Sequence, residues 1–184
     1  MIVSRVIAIF LGIILFPVYI LLSLFILFSS GRPVFFKQKR IGENNSYFFL
    51  YKFRTMKINT PDVATHLLDN PQMYYIRLGL FFRKFSLDEL PQLFNIIKGD
   101  MVFIGPRPAL FNQFDLIDLR TKHGIHKLKP GITGWAQING RDSISIDKKV
   151  SLERDYLSKK SIFFDLKIII YTFVKVLSVS DVNQ

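Results

Sequence analysis

Cysteine is absent from the 184 residues, which excludes disulfides and thiolate chemistry and leaves no sign of an oxidising compartment; a cytoplasmic setting is the simplest reading. Acidic residues are scarce: fourteen Asp and Glu stand against twenty-five Lys and Arg, a formal charge of +11. That surplus implies an anionic partner, whether nucleic acid, lipid headgroups or a phosphorylated substrate, and charge alone does not choose among them. A P-loop, a glycine-rich dinucleotide fingerprint and a zinc-protease motif are missing. His123 and His126 have no third ligand at a recognised spacing, so no metal site is expected on them. There is no internal repeat or low-complexity tract, and the length fits one domain.

What the chain does have is a long uncharged run near its start, positions 6–28. As a straight helix it would measure ~34 Å, enough for a hydrocarbon core of about 30 Å. A cleaved signal peptide fits poorly, because the apolar part is too long and Ser29-Ser30-Gly31 leads directly into basic sequence. Arg32, Lys37, Lys39 and Arg40 follow the run and only Arg5 precedes it, so the positive-inside bias holds the rest of the chain in the cytoplasm. Pro17, near the midpoint, removes a helical hydrogen bond and predicts a kink. A kinked span and a re-entrant hairpin both satisfy these residues, which on their own favour the span.

After residue 31, Val34-Phe35-Phe36 and the basic stretch Lys37 to Arg40 read as extended, with a polar turn at Gly42-Glu43-Asn44-Asn45. The run from Tyr47 through Met56 reads as a strand whose alternation places Lys52 and Arg54 on one side, suited to phosphates. Residues 60–72, bounded by Pro61 and Pro71, read as a loop or short helix. Residues 73–85 mix aromatics with Arg77, Arg83 and Lys84, as a headgroup-layer helix or an amphipathic core helix would. Residues 162–177 repeat apolar positions at helical spacing and predict an amphipathic helix, on the membrane surface or on the domain.

The densest chemistry lies in Arg83-Lys84-Phe85-Ser86-Leu87-Asp88-Glu89-Leu90-Pro91. Ser86 and Glu89 have capping-box spacing and Gly99 is a natural stop, while Pro91 disfavours a helical Leu90 and shifts the start towards Asp88. Acidic residues beside a helix start are ordinary. The same geometry also suits catalysis, since a helix start attracts phosphate and an aspartate there can attack phosphorus, forming an acyl phosphate, with Glu89 holding magnesium. Gly105-Pro106-Arg107-Pro108 stiffens the backbone around one guanidinium, as a phosphate clamp or as a rigid surface loop. Residues 129–142 read as a turn, a short strand and a second turn at Asn139-Gly140, from which Arg141 reaches a substrate anion or simply solvent.

Taken together, these residues resemble the bacterial sugar transferases, the monotopic phosphoglycosyl transferases, over nearly the whole chain. The likeness rests on the hydrophobic segment with its central proline, residues 33–42, Tyr51-Lys52-Phe53-Arg54-Thr55-Met56, Ser86-Leu87-Asp88-Glu89-Leu90-Pro91-Gln92-Leu93, Lys98-Gly99-Asp100-Met101, Gly105-Pro106-Arg107-Pro108 and Lys129-Pro130-Gly131-Ile132-Thr133-Gly134. Each motif is weak alone; their order is specific. The resemblance implies a Mg2+-dependent enzyme on the cytoplasmic face of the bacterial inner membrane. It would take a UDP-sugar, release UMP and form a polyprenyl-diphosphate sugar at the start of capsule, O-antigen or exopolysaccharide assembly. Asp88 matches the family's nucleophile and Glu89 the carboxylate associated with magnesium, so both are metal candidates. Arg83, Arg107 and Arg141 match phosphate or nucleotide contacts, and Lys52 and Asp165 fall at further motif positions.

The same resemblance replaces the span by a helix-break-helix that enters one leaflet and returns, broken at Pro17. Phe16 departs from the Ser that family members commonly carry before that proline, and Ala8 and its neighbours lack their early Asp. The expected fold is α+β, mostly α: a re-entrant anchor over residues 1–31, then a cytoplasmic-face catalytic domain over 32–184 with interfacial amphipathic helices and a small β component, integral with the anchor. The chain's extent resembles the short, minimal form. Residues 57–65 and Arg107-Pro108-Ala109-Leu110 resemble capsular members that use an N-acetylated 6-deoxyhexosamine. Polyprenyl phosphate, UDP-sugar and membrane lipid are the implied partners, nucleic acid is not, and the oligomeric state is not legible. The reading from another class is a non-catalytic membrane adaptor that binds anionic lipid, which leaves Asp88-Glu89 unexplained.

Overall fold

The computed structural model describes residues 2–61, 68–140 and 144–178. Among the described residues helices dominate, with two small two-stranded sheets. The apolar run forms α1 (Ile2–Ile14) and α2 (Phe16–Ser30), bent by 62° at the break. Pro17 sits in the first turn of α2, where its missing N–H is no loss, so the chain restarts a helix instead of kinking one. Among the described helices none is alone long and apolar enough to cross a membrane, whereas this bent pair together has the length and composition.

The pair is built into the protein core. Ala8 of α1 packs with Phe48, Leu50, Leu93, Ile96 and Met101, and Tyr19, Leu22 and Ile26 of α2 pack with Phe53, Ile76 and Phe82. Polar ties reinforce this packing. Arg5 donates to the Lys98 carbonyl at 3.2 Å, at the end of a later helix where positive charge is favoured. Arg54, 5% exposed, donates to the Ser30 and Arg32 carbonyls at 2.8 and 3.3 Å, satisfying the C-terminal end of α2.

Strands β1 (Phe35–Ile41) and β2 (Tyr47–Phe53) form an antiparallel hairpin in the register Lys39↔Phe49, turned through Asn44 and Asn45 at positive φ. Phe48 and Leu50 face the core while Tyr47 and Phe49 face out, where Lys39 and Lys37 each lie 3.9 Å from a ring centroid. The stretch 73–85 is not one helix. A 3-10 turn at Pro71–Tyr74 is separated by a left-handed Leu78 from the short α3 (Gly79–Lys84).

Two further expectations fail for backbone reasons. Ser86 adopts φ 54° and makes no side-chain cap, so the capping box does not form; a separate 3-10 turn, Leu87–Glu89, precedes α4 (Gln92–Lys98), and Leu90 is helical despite Pro91. Gly99 does end α4, at φ 92°. Over 129–140 the expected short strand and the turn at Asn139-Gly140 are both present, with a helical turn between them. Strand β3 (Val102–Ile104) pairs in parallel with β4 (Gly131–Thr133), which runs into the helical turn α6 (Trp135–Ile138). A Cβ on Gly131 would stand 2.1 Å from the Gly105 nitrogen, so glycine is what lets these two segments touch.

Helices α5 (Phe114–Lys122), α7 (Ile146–Lys159) and α8 (Ile162–Ser178) complete the fold. Leu116 and Val150 share one core with Ala109 and Ile125; Tyr156 and Ile168 share another with Ile138. Helix α8 appears where the periodicity places it and exposes Phe163, Leu166, Ile170 and Phe173.

Candidate active site

Asn95 on α4 sets the site's frame. Its side chain is wholly buried, accepts from the Tyr51 N–H at 3.1 Å and donates to the Phe49 carbonyl at 2.7 Å. These bonds hold β2 against the helix that follows Asp88 and Glu89, and so bring Lys52, the next residue on β2, to the two carboxylates. Lys52 Nζ lies 2.9 Å from Glu89 Oε1 and 3.8 Å from Asp88 Oδ2. Arg107 Nη1, from the Gly-Pro loop after β3, lies 3.3 Å from the same Glu89 oxygen. Arg83, in the last turn of α3, approaches Met56 Sδ at 3.4 Å and the Tyr75 ring at 5.4 Å.

Asp88 is 6% exposed. Burial pushes its carboxyl above the ordinary aspartate range; Lys52 pulls it back, Glu89 raises it further, and Arg83 and Arg107 also oppose the rise. It walls a cavity of about 530 Å³ that is also lined by Lys52, Arg54, Arg83, Arg107, Arg120 and Lys149. A volume in the range of small-molecule sites, with a buried carboxylate in a wall of cations, suits a multiply charged anion such as a diphosphate. The 3-10 turn is too short for a helix dipole to do this work; side-chain cations supply the field.

Of the residues singled out from sequence, Lys52, Arg83, Asp88, Glu89 and Arg107 converge here. Arg141 lies outside the described residues. Asp165 does not line this cavity; on α8 it accepts from the Tyr156 hydroxyl at 2.8 Å, and burial together with this bond raises the Tyr156 pKa. Arg54 borders the cavity, but its donors go to the end of α2. Among the described residues no group of three or more His, Asp or Glu is placed to hold a metal by itself.

Arg120 and Glu153 went unremarked in the sequence. Their side chains form a two-pronged ion pair, 2.8 Å from Nε to Oε2, and Arg120 Nη2 also donates to the Arg107 carbonyl at 2.9 Å. The pair thereby props the loop that carries Arg107. A signal existed: Glu153 falls in the buried stripe of α7 with Val150 and Tyr156, and Arg120 lies one turn beyond Leu116 on the buried side of α5. A charge at a core position of an amphipathic helix demands a buried partner.

Comparison with known proteins places this geometry in context. The family model described as bacterial sugar transferase matches residues 1–179. The uncharacterized sugar transferase EpsL of Bacillus subtilis is 46% identical over 154 residues, covering 84% of this chain and 75% of that protein. The UDP-glucose:undecaprenyl-phosphate glucose-1-phosphate transferase of Xanthomonas campestris pv. campestris is 35% identical over 171 residues, 89% of this chain but 35% of its own length. The UDP-N-acetylgalactosamine-undecaprenyl-phosphate N-acetylgalactosaminephosphotransferase of Aeromonas hydrophila is 35% identical over 167 residues, 88% of this chain and 40% of its own length. The chain thus spans only about two fifths or less of these two longer relatives.

Proposed function

This chain belongs to the bacterial sugar transferase family, and from that premise we propose that it moves a sugar 1-phosphate from a UDP-sugar to polyprenyl phosphate and releases UMP. The observation that carries the proposal is Asp88: a buried carboxylate, 3.8 Å from Lys52, in the cationic wall of a cavity sized for a nucleotide sugar. Relatives named for sugar-phosphate transfer to undecaprenyl phosphate support the same reaction.

In the first half-reaction an Asp88 oxygen attacks the phosphorus that bears the sugar. The bond from that phosphorus to the bridging oxygen breaks, and UMP leaves with the electron pair. In the second, a phosphate oxygen of the lipid attacks the same phosphorus and Asp88 departs as a free carboxylate, so no proton need move. Lys52, Arg83 and Arg107 offset the repulsion between carboxylate and diphosphate. Glu89 and Asp88 are the residues that would hold Mg2+, adjacent hard carboxylates suited to an ion whose remaining ligands are water and phosphate oxygens, and bound there it would offset diphosphate charge during transfer.

The bent α1–α2 pair serves, in this reading, as a re-entrant anchor that keeps the active site at the cytoplasmic face of the inner membrane, for the first step of glycoconjugate assembly. The donor proposed is a UDP-N-acetylated 6-deoxyhexosamine; part of the segment that suggests it, residues 62–65, lies outside the described residues. The test uses purified full-length protein with Mg2+, a panel of UDP-sugars and undecaprenyl phosphate. Wild type releases UMP with one donor, and Asp88→Asn releases none, since the amide lacks the nucleophilic charge. Equal UMP release by both proteins refutes the covalent route, and no release by either returns the lipid-binding adaptor.

A further inference from the structure

A second, smaller cavity of about 210 Å³ lies beside the one walled by Asp88. The two meet at Arg107, which lines both; of the adjacent carboxylates, Asp88 lines the larger and Glu89 the smaller. Their walls differ in kind. The larger is crowded with cations. The smaller is walled largely by Leu11 of α1, Leu15 at the helix break, Leu90, Leu93, Ile132 of β4 and Val176 of α8.

We infer that the smaller cavity seats the head end of the lipid acceptor, with its phosphate at Arg107, the residue this cavity shares with the one in which Asp88 carries the sugar phosphate. This rests on the transfer reaction proposed above and adds where the second substrate binds. Volume decides first: small-molecule sites run to about 300–1,000 Å³, so a nucleotide sugar fits the larger cavity and not the smaller. Wall chemistry decides next. Apolar residues suit isoprene units, and Lys84 and Arg107 stand beside Glu89 in the same lining, where they would meet a phosphate. Continuity decides last. The walls include α1 and α8, whose outer faces expose Phe10, Ile14, Ile170 and Phe173, so a polyprenyl tail has an apolar path from the cavity to the bilayer.

The test separates the two substrates kinetically. When UMP leaves before the acceptor reacts, kcat/KM for the UDP-sugar contains only steps up to that release, and kcat/KM for the acceptor only later ones. Val176→Trp and Leu11→Trp narrow the smaller cavity from two different helices. Both are expected to lower kcat/KM for undecaprenyl phosphate by about tenfold, the equivalent of ~1.4 kcal/mol, and to leave kcat/KM for the UDP-sugar within about twofold. Val176→Ile, which adds little bulk, should retain acceptor turnover. An acceptor value unchanged in both Trp variants, or the two values falling together, overturns the cavity assignment while the reaction stands. A wild-type protein that releases no UMP overturns the reaction and the assignment together.

Discussion

Replacing Glu153 with Gln tests whether the buried pair behind Arg107 is structural support or part of the site's tuning. The side chains of Arg120 and Glu153 are 9% and 2% exposed. The direct attraction is not the quantity to use, because desolvation of both ions offsets most of it. What matters is the charge left behind. Removing one partner from such a pair costs about 3–5 kcal/mol. The Gln oxygen can still accept from Arg120, so the lower end applies, and for a chain of this length ~3 kcal/mol lowers the apparent Tm by roughly 6–12 °C.

The double variant Arg120→Met/Glu153→Leu removes both charges and retains packing volume, so its apparent Tm should return to within about 4 °C of wild type. Activity should not return with it. The double variant also loses the bond from Arg120 to the Arg107 carbonyl, and misplacing a phosphate-binding cation costs roughly ten- to a hundredfold in UMP release. Thermal unfolding in detergent and UMP release, measured on the same preparations, separate the two effects. A double variant as unstable as Glu153→Gln alone refutes the charge argument; one that is stable and fully active refutes the propping of Arg107.

The remaining predictions concern charge, frame and topology. Because burial raises the Asp88 pKa, the carboxylate proposed as nucleophile is lost on acidification while the pH is still above the usual aspartate value, so UMP release should fall early on the acid side; Lys52→Met removes the largest opposing influence and should move that limb to higher pH, as a pH profile of kcat/KM will report. Asn95→Leu leaves the part-buried Tyr51 N–H and Phe49 carbonyl without their partner, at a cost of about 1–3 kcal/mol measurable by denaturation, with UMP release per folded molecule falling as Lys52 drifts. A cysteine placed at Ser4 should stay unlabelled when intact cells are treated from outside with a membrane-impermeant reagent, and labelling there would contradict the re-entrant anchor.

The proposed anchor and the proposed catalytic residues are coupled through ordinary packing. Ala8, Leu93 and Ile96 share one core cluster, so α1 touches the helix that follows Asp88 and Glu89. Arg54 is the clearest case of a role misjudged from pattern. Alternation put it on one side of a strand with Lys52; the strand stops at Phe53, and although Arg54 borders the same cavity its guanidinium serves the open carbonyls at the end of α2, a need that exists only once that helix has been docked.

Local chemistry in the chain alone was enough for much of this protein. The absence of cysteine, the uncharged run broken by Pro17, the alternation of β2, the stop at Gly99 and the period of α8 each depend on neighbours a few residues away, and each reads directly. The convergence of Lys52, Arg83, Asp88, Glu89 and Arg107 was approached through family likeness rather than spacing. Tertiary structure alone decided the rest. The left-handed Ser86 cancels a capping box that the spacing invites, and the parallel β3–β4 pairing needs Gly105 and Gly131 in contact across the chain. The Arg120–Glu153 pair joins residues 33 positions apart. These outcomes are set by which segments are driven together when the apolar surface is buried, and the energy that selects them belongs to contacts no local window contains.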